Sequence, residues 1–444
     1  MFFMRGRVYR RANLQSHPFA DEPQPMTESL QPTTASAAPA AAARRERVLS
    51  GMRPTGALHL GHYHGALKNW VRLQNEYPCL FFAADWHALT THYEDPAVIE
   101  ETVWEMFIDW LACGIDPTKA TLFIQSRVPQ HAELTMLLSF FVPLSWLERV
   151  PTYKDSVDRH AEQGRDLTTY GFLGYPLMQA ADILIYQANR VPVGEDQVSH
   201  IELTREIARR FNHLFGREKG FEEKAEAAVK KMGPKKAKLY RTLRTRFQQQ
   251  GDAAALEEAR TLVNDVQNLS IGDKERLYGF LEGGGRMILA EPEAVLTETP
   301  KLLGLDGQKM SKSYGNTIML REAPDSVTQK VRKMQTDPAR VRRSDPGDPL
   351  KCPVWNLHLV YSDERTRDWV FNGCKTAGIG CLECKQPVID AINAELRPIR
   401  ERAAQFEEDP TLVRNIIQDG CEKASDLADE TMRDVRDAMG LDYS

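Results

Sequence analysis

The stretch from Ser50 to Tyr63, SGMRPTGALHLGHY, restricts the possible folds more than any other part of the chain. A short apolar strand (47–49) leads into it. The spacing beyond it predicts a helix with Ala66, Leu67, Trp70 and Val71 on one buried face. A strand, a glycine-bearing turn and a helix N-terminus form an arrangement that binds phosphate. Gly51 and Gly56 would let the backbone approach a ligand, and unpaired N–H groups at the helix start would face an anion. His59 and His62 add neutral donors suited to a polyphosphate. Alone, the stretch is equally compatible with an ordinary strand-to-helix turn.

The residues from 79 to 124 fix the fold class. Cys79 to Ala84 is a continuous apolar run, as in a strand buried on both faces. Ile99, Val103, Met106, Phe107 and Trp110 recur at helical spacing until Gly114 and Pro117, and Ala120 to Ile124 is the next strand. Two successive β-α-β units predict an α/β fold with a Rossmann-like, doubly wound parallel sheet. Ligands bind such sheets beyond the carboxyl ends of the strands, where SGMRPTGALHLGHY falls. Neither GxGxxG nor GxxxxGK[ST] occurs, which removes dehydrogenase and P-loop readings.

Further along, YPLMQAADILIY (175–186) puts Tyr175, Gln179 and Asp182 on one helix face among apolar neighbours. A buried acid there needs a partner, either a ligand N–H or a group of the protein. Val191 to Val193 reads as a strand running into Gly194, Glu195, Asp196 and Gln197, where carboxylates can take ribose hydroxyls. Gly307 to Asn316 reads GQKMSKSYGN. On a mobile loop, Lys309 and Lys312 could close over a triphosphate; otherwise they are solvated lysines of a surface turn.

The 444 residues suffice for two or three domains, with 27% charged and 42% hydrophobic residues. No apolar run reaches the roughly 18 residues of a membrane span. Residues 1–46 read as a disordered tail, since 27–45 are rich in Ala, Pro, Ser and Thr. The arginine-rich opening resembles an organellar targeting segment; the reading adopted is an upstream start with Met26 as the working one. The net charge of −5 does not advertise nucleic-acid binding. Yet in the helical segment 217–286, Lys230 to Arg246 holds eight basic residues and no acid. That run is either a track for a phosphate backbone or a solvated face. Gly283 to Gly285 reads as a flexible return, and from about 323 onward the pattern is helical.

HLGH after a strand, paired with KMSKS some 250 residues later, resembles the signature pair of class I aminoacyl-tRNA synthetases. From about Arg47 onward the chain resembles the tryptophanyl branch, on SGMRPTGALHLGHY, TLFIQSRVP, YPLMQAADILIY, VPVGEDQ, IELTREIARRFN and LDGQKMSKSYGN. The tyrosyl branch typically carries a GSDQ-like sequence where this chain has GEDQ. The resemblance implies a catalytic domain over 47–322, with the insertion at about 217–286, and a helical anticodon-binding domain over 323–444. It implies a cytoplasmic homodimer that uses ATP with Mg²⁺ to charge tRNA(Trp) with tryptophan. Arg53, Pro54, Thr55, Gly61 and His62 would line the ATP site, with His59 beside the phosphates. Gly194, Glu195 and Asp196 would hold adenosine. Asp182 would accept the indole N–H, Tyr175 and Gln197 would sit near the amino and carboxylate groups, and Val191 and Val193 near the ring. Lys309, Met310, Ser311, Lys312 and Ser313 would form the mobile loop, with Lys154 a further pyrophosphate contact.

Of seven cysteines, Cys79 and Cys113 read as buried small hydrophobes and Cys421 gives no signal. Cys352, Cys374, Cys381 and Cys384 form a C-x21-C-x6-C-x2-C pattern that suits zinc or an iron–sulfur cluster better than disulfides. Some family members carry a 4Fe-4S cluster on nearly this spacing. The resemblance therefore implies a structural cluster near the anticodon site, with Zn²⁺ as the alternative.

Overall fold

The computed structural model describes residues 46–150, 168–217, 220–296, 302–311 and 314–443. The tail (all of 1–46 but Glu46), Lys154, Lys312 and Ser313 lie outside the described residues. Five parallel strands form one sheet in the order β3-β2-β1-β4-β5. They are β1 (Val48–Met52), β2 (Cys79–Ala83), β3 (Ala120–Ile124), β4 (Arg190–Val193) and β5 (Glu293–Leu296). Every residue of β2 is buried, as its unbroken apolar run requires. The order reverses beside β1, which puts the switch point, and hence the ligand crevice, beside SGMRPTGALHLGHY.

The strand β1 runs on through Met52, beyond the Leu49 end expected from hydropathy. Gly51 therefore serves packing as well as ligand approach: a Cβ there would lie 2.5 Å from the Phe82 ring. Gly56 is a true turn glycine, with φ +111°. The helix after the turn is a one-turn α segment (Leu60–His62), a π segment (Tyr63–Leu67) and an α segment (Lys68–Leu73). Leu67 and Trp70 are buried, Trp70 stacked on Phe81 at 4.3 Å.

The sheet is flanked by α1 (Ala97–Cys113), α2 (Gln130–Ser139), α3 (Tyr175–Ile185) and α4 (Val198–Phe215). Four helices then form the insertion: α5 (Phe221–Lys231), α6 (Pro234–Gln250), α7 (Ala253–Asn264) and α8 (Ile271–Glu282). The basic run is two helices, not one, because Gly233 (φ +81°) and Pro234 break it. These four helices bury their own hydrophobic cluster, including Val229, Tyr240, Leu243, Val263 and Leu277. Gly283 to Gly285 is a tight crossing and no loose return. Arg286 N–H donates to Gly216 C=O (2.7 Å), and a Cβ on Gly285 would lie 2.1 Å from the Gly216 carbonyl carbon.

The C-terminal helices are α9 (Pro324–Lys333), α10 (Pro353–Tyr361), α11 (Glu364–Lys375), α12 (Cys381–Glu408) and α13 (Pro410–Met439). Unlike the insertion, they share the core of the sheet: Ile392, Leu396, Ile417 and Val435 join one cluster with Leu49, Phe81 and Trp110. Among the described residues no helix is long and apolar enough to cross a membrane.

Candidate active site

A cavity of about 450 Å³ opens at the carboxyl ends of β1 and β4. Of the residues singled out from sequence, Arg53, Thr55, His62, Tyr175, Asp182, Val191, Val193, Gly194 and Gln197 line it together. They come from the turn after β1, from α3, and from β4 with its following turn. The π segment adds Gly65 and Ala66 to the wall. Pro54 is buried beside this wall, while Glu195 and Asp196 are exposed at the turn following β4.

The helix start does not present open N–H groups. His59 Nδ1 accepts from Gly61 N–H (3.1 Å), Leu60 N–H donates to Ile318 C=O (3.0 Å), and His62 N–H to His59 C=O (2.8 Å). The expectation of a free anion-binding helix terminus is thus corrected. The histidine cap and a segment from far along the chain already satisfy those donors.

That segment follows KMSKS. Leu320 N–H donates to Leu58 C=O (3.1 Å), so the strip 318–320 lies antiparallel to 58–60. Met310 is buried, and a Cβ on Gly61 would lie 3.4 Å from the Met310 Cβ. Asn316 shapes the loop: its Oδ1 accepts from Ser311 N–H (2.8 Å), and its Nδ2 donates to Asp306 Oδ1 (2.8 Å). Lys309 is exposed. Beneath both motifs sits buried Asp109, whose Oδ2 accepts from Leu58 N–H (3.3 Å) and whose Oδ1 pairs with Arg321 Nε (2.8 Å). The two motifs are therefore one structural unit.

Asp182 is 1% exposed and is engaged by three protein donors. His131 Nδ1 lies 2.6 Å from Oδ1 and His87 Nε2 lies 2.7 Å from Oδ2. Gln125 Nε2 reaches both oxygens (2.8 and 2.9 Å). Tyr186 Oη stands 2.7 Å from His131 Nε2. The consistent assignment has Tyr186 donating to His131, and His131 and His87 donating to the carboxylate. Burial alone would raise the carboxyl's pKa, but His131 and then His87 outweigh it and hold it at about 2. A carboxylate offers about four acceptor directions, and these four contacts match them, the two from Gln125 Nε2 being a single shared donor; Asp182 also lines the cavity. Two further buried acceptors on the wall, His87 Nδ1 and Gln179 Oε1, make no hydrogen bond to the described residues.

His87, Gln125 and His131 were not found from sequence. They follow β2, follow β3 and open α2, so no local pattern joins them to Asp182.

The four cysteines gather where α10, α11 and α12 meet. The Cys384 thiol is pushed up to about 12, first by burial and then by the charges of Cys352, Cys374 and Cys381. The Cys374 thiol is raised too, first by burial, with Arg340 opposing. Burial raises the Cys352 thiol, against backbone hydrogen bonds at Val354, Asp337 and Trp355 that lower it. Buried Arg340 lies 3.7 Å from Cys374 Sγ, and Lys385 is buried beside the group. Among the described residues, however, no three such ligands stand at metal-holding spacing.

This sheet, crevice and motif pair define a class I nucleotide-activating enzyme. The family described as "tRNA synthetases class I (W and Y)" matches residues 41–238 and 255–397, and the chain belongs to it. It is 69% identical over 399 residues to the tryptophan–tRNA ligase of Ralstonia nicotianae, covering 90% of this chain and 99% of that one. It is 44% identical over 397 residues to that of Thermotoga maritima, covering 89% and 99%. Among solved structures it resembles Campylobacter jejuni tryptophanyl-tRNA synthetase complexed with ADP and tryptophan. There the TM-score is 0.66 at 27% identity, over 89% of this chain and 100% of that one.

Proposed function

We infer that this chain is a tryptophan–tRNA ligase. It activates tryptophan with ATP, releasing pyrophosphate, and then transfers the tryptophanyl group to tRNA(Trp). The observation that carries the reading is the single cavity in which Tyr175, Asp182, Val191 and Val193 meet Arg53, Thr55, His62 and Gly194.

The substrate carboxylate attacks the α-phosphorus in line, and the bond to pyrophosphate breaks. The terminal ribose hydroxyl of the tRNA, the 2′-hydroxyl as in class I enzymes, then takes the acyl group and releases AMP. Neither step needs a protein nucleophile, so the residues position substrates and balance charge. We propose that Asp182 accepts the indole N–H, and that Val191 and Val193 flank the ring. Tyr175 and Gln197, with Gln179 Oε1 as an acceptor, meet the ammonium and carboxylate. Arg53, Pro54, Thr55, Gly61 and His62, with Gly194, Glu195 and Asp196, hold ATP, and His59 braces the turn beside the phosphates. Lys309, Met310 and Ser311, with Lys312 and Ser313, close over the triphosphate. Mg²⁺ arrives on the ATP phosphates and screens their charge.

In the same reading, 47–322 is the catalytic region and 323–444 recognises the anticodon. Cys352, Cys374, Cys381 and Cys384 hold a structural metal, a 4Fe-4S cluster or Zn²⁺. Four thiolates around either centre leave two net negative charges, which the cations of Arg340 and Lys385 match. A cytoplasmic homodimer completes the proposal. Its support is an apolar groove containing Trp86, Tyr93, Tyr170 and Leu177. Exposed Met136, Phe140 and Leu144 are further apolar surface on and after α2.

Aminoacylation of purified tRNA with tryptophan, tyrosine and phenylalanine in turn tests the function. Charging by tryptophan alone is expected, and charging by tyrosine in its place would overturn the assignment.

A further inference from the structure

We propose that the exposed face of α6 in the insertion binds the phosphodiester backbone of the tRNA that the enzyme charges. This inference rests on the tRNA-ligase reading above.

From Ala227 to Gly251 there is no acidic residue, and Lys230, Lys235, Lys238, Arg241 and Arg246 are all exposed. Lys230, Lys235 and Lys238 make no ion pair to a described residue. Arg241 and Arg246 pair only with surface carboxylates, Glu226 (2.7 Å) and Asp252 (2.5 Å). Exposed pairs of that kind are worth at most about 1 kcal/mol, so a phosphate can displace them. Lys235 to Arg246 covers about 16 Å of helix, enough for several consecutive phosphates. Exposed Thr242 and Thr245 supply hydroxyls between the cations.

The charge is local. Residues 217–286 hold 15 Lys or Arg against 11 Asp or Glu, in a chain whose net charge is −5. A polyanion approaching the acidic remainder finds its favourable field here. The packing fits the same use. Buried Ala237, Tyr240 and Leu243 fix the inner face of α6 to the insertion's own core, so the cations stand on a rigid support. The insertion begins at the end of α4, which starts at the cavity rim and is about 27 Å long. An RNA whose 3′ end enters the cavity can lay backbone across that distance.

The test uses the full chain carrying Lys235→Gln, Lys238→Gln and Arg241→Gln together. Affinity for tRNA(Trp) is measured by anisotropy between 50 and 200 mM salt, beside tryptophan-dependent pyrophosphate exchange. Each lost phosphate contact should flatten the slope of log K against log salt by roughly 0.7 to 0.9, about 2 to 3 in total. Affinity at low salt should fall at least about tenfold, with exchange unchanged. An unaltered slope and affinity would overturn the proposal and leave the face to a protein partner. A parallel loss of exchange would also overturn it, since the face would then act on the catalytic core. Failure of the ligase reading is separate: the unsubstituted chain would then show no tryptophan-dependent exchange.

Discussion

Replacing Asp182 by Asn keeps the shape of the side chain but turns one acceptor into a donor. In the native network three buried donors converge on the two oxygens: His131 at 2.6 Å, His87 at 2.7 Å, and Gln125 shared between them. An amide can satisfy only one side, so at least one imidazole must change tautomer or lose its bond. That costs about 1–3 kcal/mol per unpaired buried group. Asp182→Ala strands all three donors, and a cost of about 3–9 kcal/mol approaches the whole stability of an ordinary domain. The catalytic effect expected of the Asn variant follows from the proposed bond to the indole N–H. A hydrogen bond to a charged group is worth about 1.5–3 kcal/mol, or roughly ten- to hundredfold in kcat/KM for tryptophan. Phenylalanine, which has no such N–H, should lose far less, so discrimination narrows by a similar factor. Pyrophosphate exchange with each amino acid, alongside a thermal melt, measures both effects. Wild-type tryptophan kinetics and unchanged rejection of phenylalanine in Asp182→Asn would refute the substrate role. An Asp182→Ala protein that melts with wild type would refute the structural one.

Acid stability should depend on Asp182 and Glu395 together. Both carboxyls are held at about 2, against ordinary values of 3.8 and 4.5. Burial opposes this in each; at Glu395, His64 and Lys68 outweigh it. Their stabilisation is therefore complete above the unfolded pKa and disappears as pH falls through the folded one. It amounts to about 2 and 3 kcal/mol, lost between roughly pH 4.5 and 2, and Glu395→Gln should flatten circular-dichroism melts over that window. Asp109→Ala leaves Leu58 N–H unpaired and Arg321 without its buried partner, and should raise the KM for ATP more than that for tryptophan in exchange assays. Cys384→Ser should lower bound metal in elemental analysis of anaerobically purified protein. Stoichiometric zinc without iron in the unsubstituted chain would reject the cluster in favour of zinc.

Much of the sheet was legible because burial on both faces leaves a plain mark. CLFFA has no polar residue and ATLFI only Thr121, and their strands fall where hydropathy places them. The strand β5 left no such mark: Glu293–Leu296 is an edge strand with no fully buried residue, so its composition is that of a loop. The site divided in the same way. Residues attached to a motif, such as Arg53, His62 and Gln197, could be named because sequence neighbours carry the signal. His87, Gln125 and His131 are drawn to Asp182 from three separate elements, and only folding makes them adjacent. The capping of the N–H groups in the HLGH turn was hidden for the same reason. Their acceptors include Ile318, some 250 residues away, and a histidine acting as a cap where Ser, Thr, Asp or Asn is the usual choice.

The two additions to the sheet are attached in physically opposite ways, and this bears on what each can do. Helix α12 carries Cys381 and Cys384 in its first turn. About 21 Å further along it, Glu395 accepts from His64 Nε2 (2.9 Å) and Tyr361 Oη (2.9 Å) and pairs with Lys68 Nζ (2.6 Å). Beyond that, Arg400 donates to Glu322 C=O (3.1 Å) and Arg402 to Ala112 C=O (2.6 Å). One rod thus touches the cysteine group, the helix that follows HLGH and the strip that follows KMSKS. Its apolar face, Val388, Ile392, Leu396 and Ile399, lies in the common core. Displacing it would open that core, so a shift at the cysteines is transmitted as strain and not absorbed at a hinge. The insertion has its own core and joins through the Gly216–Gly285 crossing and Arg286, which pairs with Glu275 (2.6 Å) and Asp434 (3.1 Å). It can open as a separate unit while the sheet stays closed. A module held in that way suits an added grip on a substrate, and a helix shared by both signature motifs suits the setting of their geometry.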